Sequence, residues 1–89
     1  MLQKELTIVN KLGLHARPAA MFVKTCARFK SEVTVEKDDE QVNGKSIMGL
    51  MMLAAGCGSR ITVIANGQDE AEVMAVLEGL LASGFAEGK

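Results

Sequence analysis

The sequence predicts a two-layer α+β domain, strands in one layer and helices in the other, in the order β-α-β-β-α-β-α. Three observations carry that expectation. Short runs of alternating apolar and polar residues mark strands, and stretches with apolar residues three and four apart mark helices. Turn formers, including Gly13, Asp38-Asp39, Gly44, Gly56 to Gly58, Asn66-Gly67 and Gly84, fall between those runs.

The first strand reads from Leu2, Lys4, Leu6 and Ile8 alternating with Gln3, Glu5 and Thr7, with Lys4 the imperfection. Asn10 to Leu14 is a loop. From Ala16 the period becomes helical: Ala19, Phe22, Val23, Cys26 and Ala27 make an apolar face, while Arg17, Met21, Lys24 and Arg28 line another, mostly basic one. Pro18 belongs in the first turn, where its missing N–H costs nothing. Val33 and Val35 alternate in a second strand, Asp38-Asp39-Glu40 turns the chain, and Gln41-Val42-Asn43 returns as an edge strand. Ile47 to Leu53 is a short apolar helix, in which Met52 and Leu53 are expected to face the core. After a loop at residues 56–59, Ile61 to Ala65 is β-branched and extended. Asp69 with Glu72 three residues on resembles a capping box, and Val73, Met74, Leu77, Leu80 and Leu81 follow as a helix stopped at Gly84.

The chain has 89 residues, the length of one domain (1–89), with no internal repeat, linker or low-complexity segment. It has no Trp or Tyr and three Phe, which argues against the stacking platforms of single-stranded nucleic-acid binders. The longest uncharged apolar stretch, residues 47–58, is too short to span a membrane, and Lys4 and Glu5 interrupt any secretory signal. Cys26 and Cys57 lie far apart, with no C-x-x-C and no second His, so no metal site is expected. They read as reduced core thiols of a cytoplasmic protein, with a disulfide between them as the alternative.

Net charge is −1, but the charges are segregated. Lys11, Arg17, Lys24, Arg28 and Lys30 occupy a stretch with no acid, whereas Asp69, Glu70, Glu72, Glu78 and Glu87 occupy one with no base. A near-neutral protein with one basic region suits an acidic partner or a phosphate better than a long duplex.

His15 is the only histidine, between the Gly13 loop and the first turn of a helix. A helix N-terminus presents unpaired N–H groups and the positive end of the dipole, so an anion settles there. The same field disfavours a positive charge on the ring, which leaves a nucleophilic imidazole. Ala16 stands at that terminus, and Arg17 offers a planar fork of donors matched to phosphate oxygens. Those parts can hold a phosphoryl group, and nothing else in the chain is equipped to generate one. Against this stands the commonest role of a lone His beside a helix, a surface or capping residue.

The string Gly13-Leu14-His15-Ala16-Arg17-Pro18-Ala19 resembles the active-site motif of the HPr family, the histidine-containing phosphocarriers of the bacterial phosphotransferase system. Gly44-Lys45-Ser46-Ile47-Met48-Gly49-Leu50-Met51-Met52-Leu53 is similar to that family's regulatory serine and the short helix after it. The element order matches over essentially the whole chain. The resemblance implies an open-faced sandwich: a four-stranded antiparallel sheet, order 1-4-2-3, with three helices on one side. It implies that His15 accepts phosphate at Nδ1 from phosphorylated enzyme I, charged by phosphoenolpyruvate, and passes it to an enzyme IIA. Arg17 then matches the phosphate-contacting arginine. The chain would be a stoichiometric carrier and not an enzyme, a monomer with no cofactor.

Gly44-Lys45-Ser46 ends like a nucleotide-binding P-loop, but the Gly that motif requires five residues before Gly44 is here Asp39. Ser46 directly precedes Ile47 and reads as an N-cap. The resemblance adds phosphorylation of Ser46 by an ATP-dependent HPr kinase/phosphorylase, which is compatible with capping. Met21, Met48, Met51 and Met52 exceed the needs of a small core, and exposed Met makes an adaptable docking surface. In the family, Ile47, Met48 and Met51 match a hydrophobic patch beside the active site, and Met21, Lys24 and Arg28 extend the docking surface.

Asn10-Lys11-Leu12-Gly13 and Ser83-Gly84-Phe85 look like the nitrogen-related branch of the system, which is regulatory, whereas the Ser46 segment fits the kinase-regulated carriers of sugar uptake. Both branches stay open. So does a co-effector that docks on a transcriptional regulator, although relatives of that kind lack the histidine.

Overall fold

The computed structural model describes residues 1–86, so Glu87 of the acidic stretch lies outside the described residues. Strands β1 (Leu2–Thr7), β2 (Glu32–Lys37), β3 (Glu40–Asn43) and β4 (Arg60–Asn66) form one antiparallel sheet in the order β1-β4-β2-β3. Helices α1 (Ala16–Ala27), α2 (Ile47–Met52) and α3 (Glu70–Ala82) cover one face of it. The architecture is the one expected.

Register explains the layering. Leu2 and Leu6 stand opposite Ala65 and Ile61, and Val33 and Val35 stand opposite Ala65 and Val63. One row of apolar side chains therefore crosses the sheet and meets Phe22, Cys26, Val73, Met74 and Leu77 from the helices. Lys4 belongs to that inward row, opposite Val63, yet β1 is an edge strand. Its ammonium reaches past the core to Glu78 of α3 at 2.8 Å, which is how the alternation tolerates a lysine. At the β2–β3 turn, Asp38 and Asp39 both take positive φ (51° and 69°), the twist a two-residue hairpin requires.

The C-terminal stop of α3 is built from hydrogen bonds. Gly84 (φ 68°) donates to the Leu81 carbonyl and Phe85 to that of Leu80, at 3.0 and 2.9 Å. This Schellman closure turns Phe85 back into the core, where it is 1% exposed.

Four local expectations are corrected. Asp69 is the N-cap residue of α3, but its carboxylate does not cap the helix. It accepts from the Ser31 hydroxyl and from the Lys30 and Ser31 N–H groups, the latter two at 2.9 Å, and so ties the α1–β2 connection to α3. Those bonds, the Ser31 hydroxyl foremost, hold the acid below its ordinary pKa. Glu70 instead serves the helix start, accepting from Gly67 N–H at 3.1 Å. Ala27 is exposed, because eight residues at about 100° each carry it roughly 80° past Ala19 and off the buried stripe. Met52 is 69% exposed and does not face the core. On so short a helix only Leu50 and, three residues on, Leu53 reach inward, and Met52 sits about 200° round from Leu50. Cys57 is an exposed thiol and not a core one, and both cysteines are free. Cys26 is fully buried, and that burial pushes its thiol up to about 12.

No helix among the described residues is long and apolar enough to cross a membrane.

Candidate functional site

His15 is the N-cap residue of α1. Its backbone is extended (φ −77°, ψ −172°), and its carbonyl accepts the first helical bond, from Ala19 N–H at 3.0 Å. The ring does not cap the helix. Ala16 and Arg17 supply the N–H groups of the first turn that the helix itself cannot satisfy, and Pro18, buried at the third position, has none to offer. His15 therefore stands at the helix terminus where Ala16 and Arg17 present their backbone N–H groups, and Arg17 is exposed there.

The loop that delivers His15 is braced from both sides. Buried Asn10 donates from Nδ2 to the Gly13 carbonyl at 2.8 Å, and Gly13 N–H donates to the Asn10 carbonyl at 3.2 Å. Leu14 N–H donates to the Ala55 carbonyl at 2.9 Å, which pins the loop to the segment after α2. Gly13 has φ +70°, and a Cβ there would lie 2.6 Å from Gly56 Cα and closer still to the Ala55 oxygen. Only glycine permits that approach.

The junction forms a shallow depression of about 260 Å³ in which His15 is bordered by Leu12, Met51, Ala54 and Ala55. It joins two regions far apart in sequence, the histidine loop and the methionine helix. Met48, at 74%, is the most exposed residue of α2, and Ile47 and Met51 are exposed beside it. A second depression, of about 310 Å³, is bordered by Met21, Lys24, Thr25 and Arg28, so three of the four residues of the stripe expected on α1 share a surface, and Arg17 does not border it. Residues 7–31 and 41–59, which build both, contain no acid.

Ser46 is the N-cap of α2, its hydroxyl accepting from Gly49 N–H at 3.0 Å. Its neighbour Lys45 donates from Nζ to the Phe29 carbonyl at 3.1 Å, linking the approach to Ser46 with the end of α1.

Three features escape a reading of the sequence. Asn10 is legible only as a loop residue, although an Asn three positions before a Gly is a turn signature that identifies its brace. Leu12, 70% exposed at the rim of the depression, gives no periodic signal because it lies in a loop. Ala54, which takes a left-handed φ of 52° without being glycine, gives none at all.

Comparison with known proteins agrees with this geometry. A family model described as the PTS HPr component phosphorylation site matches residues 2–83. The phosphocarrier protein HPr of Neisseria meningitidis serogroup A is 54% identical over 89 residues, covering all of both chains. The crystal structure of HPr-C-His from Thermoanaerobacter tengcongensis superposes with a TM-score of 0.96 at 46% identity, again over both whole chains. Crh of Bacillus subtilis, a catabolite-repression protein whose crystal structure is a dimer with a swapped domain, gives 0.76 at 46% identity over 94% of this chain and 97% of that one. Dimers thus occur among similar structures, and the expectation of a monomer gains no support from them. With its full-length matches and its sheet order, this chain belongs to the HPr family of phosphocarriers of the phosphotransferase system.

Proposed function

We propose that His15 takes a phosphoryl group from phosphorylated enzyme I and passes it to enzyme IIA components, in sugar uptake or its regulation. The observation that supports this reading is the position of His15 as N-cap of α1, next to the first-turn N–H groups of Ala16 and Arg17. An imidazole lone pair on Nδ1 attacks phosphorus as the donor's phosphorus–nitrogen bond breaks, and the donor imidazole leaves with that electron pair. The His15 proton stays on Nε2, and the Arg17 fork and backbone donors meet the charge on the equatorial oxygens. Positioned donors are most of what phosphoryl transfer asks of a protein. The return step to an acceptor histidine is the same exchange reversed, so the chain ends each cycle unchanged.

Docking in this reading uses the basic face of α1, with Met21, Lys24 and Arg28, together with Ile47, Met48 and Met51 of α2. Ser46 serves as the switch: a phosphate there places about −1.5 to −2 charges beside the exposed methionines. A phosphorylatable cap next to an apolar patch supports regulation by repulsion and desolvation of the docking surface, not by unfolding.

The test mixes the protein with enzyme I and phosphoenolpyruvate. Wild type should gain acid-labile, base-stable phosphate, and His15→Ala should fold normally and gain none. Phosphohistidine persisting in the variant would refute the assignment.

A further inference from the structure

We infer that Leu12 is a docking residue: with Met51 it walls an apolar seat beside His15 that receives an apolar side chain from a partner whose surrounding surface is acidic. This rests on the carrier reading and deepens it.

Leu12 takes no part in the core, where a leucine usually belongs, and stands 70% exposed between Lys11 and Gly13. Its backbone is not loose. The Asn10–Gly13 bonds on either side of it and the Leu14–Ala55 bond hold the loop against the segment after α2. An apolar side chain on a braced loop is a preorganised contact, which loses little freedom when covered.

The depression it borders selects its occupant. Apart from the His15 ring, the side chains that wall it, those of Leu12, Leu14, Met51, Ala54 and Ala55, are all apolar. That lining suits neither a free anion nor a polar metabolite. The chain around Leu12 and His15 carries Lys11 and Arg17, with no acid from residue 6 to residue 31, so the complementary rim is one of carboxylates. The occupant is therefore an apolar residue at the centre of an acidic protein surface. Leu12 also changes the shape of the contact. Leu12 and Met51 border the same depression as His15, so a partner side chain seated between them would exclude water beside the histidine.

Leu12→Ala and Leu12→Met decide the matter in assays with phosphorylated enzyme I as donor. Leu12→Ala should keep the wild-type melting temperature and kcat while raising KM about five- to tenfold, the loss expected when most of a leucine contact is removed. Leu12→Met should restore KM. The Leu12→Ala defect should persist at high salt, unlike a lost charge. An unchanged KM overturns the inference, as does a fall in kcat alone or a defect that disappears with salt. If wild type itself takes no phosphate on His15, the carrier reading fails first and the inference falls with it.

Discussion

Replacing Gly13 by alanine tests how tightly the histidine loop is built. The left-handed φ of +70° costs a residue with a Cβ about 1–2 kcal/mol. The new methyl would overlap the Ala55 oxygen and Gly56 Cα, and both are backbone atoms that cannot rotate away. Relieving such an overlap costs about 1–3 kcal/mol, and it stretches the Leu14–Ala55 hydrogen bond as well. The sum is about 2–5 kcal/mol, against a total stability of about 4–13 kcal/mol for a chain of this length. At roughly 4–8 °C per kcal/mol, the melting temperature should fall by at least about 8 °C. Gly56→Ala is the control, because a Cβ there meets nothing within 4 Å and the backbone is not left-handed. It should be neutral or stabilise by up to about 1 kcal/mol through the unfolded chain. Calorimetric melts of the three proteins make the comparison, with urea titrations to confirm equal m-values. The displaced loop carries His15, so folded Gly13→Ala should also accept phosphate more slowly. A Gly13→Ala melt within about 3 °C of wild type, or equal losses in both variants, would refute the reasoning.

Arg17→Ala should lower kcat for transfer at least about tenfold, whereas Lys24→Ala and Arg28→Ala should act mainly on KM and fade with added salt. Equal kcat losses in all three, measured by single-turnover transfer, would deny Arg17 its separate role. Ser46→Ala should cost about 0.5–2 kcal/mol by removing the cap on Gly49 N–H, while Ser46→Asp keeps its melting temperature within a few degrees and raises KM for enzyme I. Unchanged docking of both Ser46→Asp and the phosphoserine protein, seen by titrating enzyme I, would leave Ser46 a helix cap only. The depressed pKa of Asp69 means that its contribution is complete above about pH 4, the unfolded value, and is lost as pH falls through the lower folded value. Urea titrations from pH 6 to pH 2 should therefore show a shallower acid loss in Asp69→Asn than in wild type. Thiol labelling of native protein should modify Cys57 and spare Cys26, whose burial pushes its pKa up to about 12. Mass spectrometry showing two labels without denaturant would contradict that burial.

Much of this protein follows from local pattern. Alternation placed β1 and β2 because side-chain period is a property of the backbone itself, while the Asp38-Asp39 turn placed β3 and a β-branched run placed β4; the pattern survived even Lys4, which an edge strand can turn toward Glu78. The 3.6-residue period placed α1 and α3, and the Gly84 stop appeared as a complete Schellman closure. The string around His15 likewise put the histidine at the start of α1, since a helix start is set by a few neighbouring residues. The errors arose where a side chain had a choice of partners. Asp69 could have capped its own helix, but the Ser31 hydroxyl and two N–H groups of a loop 38 residues away outbid it. Met52 could have faced inward, but a six-residue helix has room for few inward positions and Leu50 with Leu53 took them.

From the sequence alone come the element order, the segregation of charge and the choice of His15 as the candidate residue, because each depends on neighbours a few residues apart. Only the tertiary structure brings Leu12, His15 and Met51 around one depression and sets Ala55 against Gly13. Such contacts are made by surfaces that chain folding brings together across some forty residues, and no local period encodes which surfaces will meet.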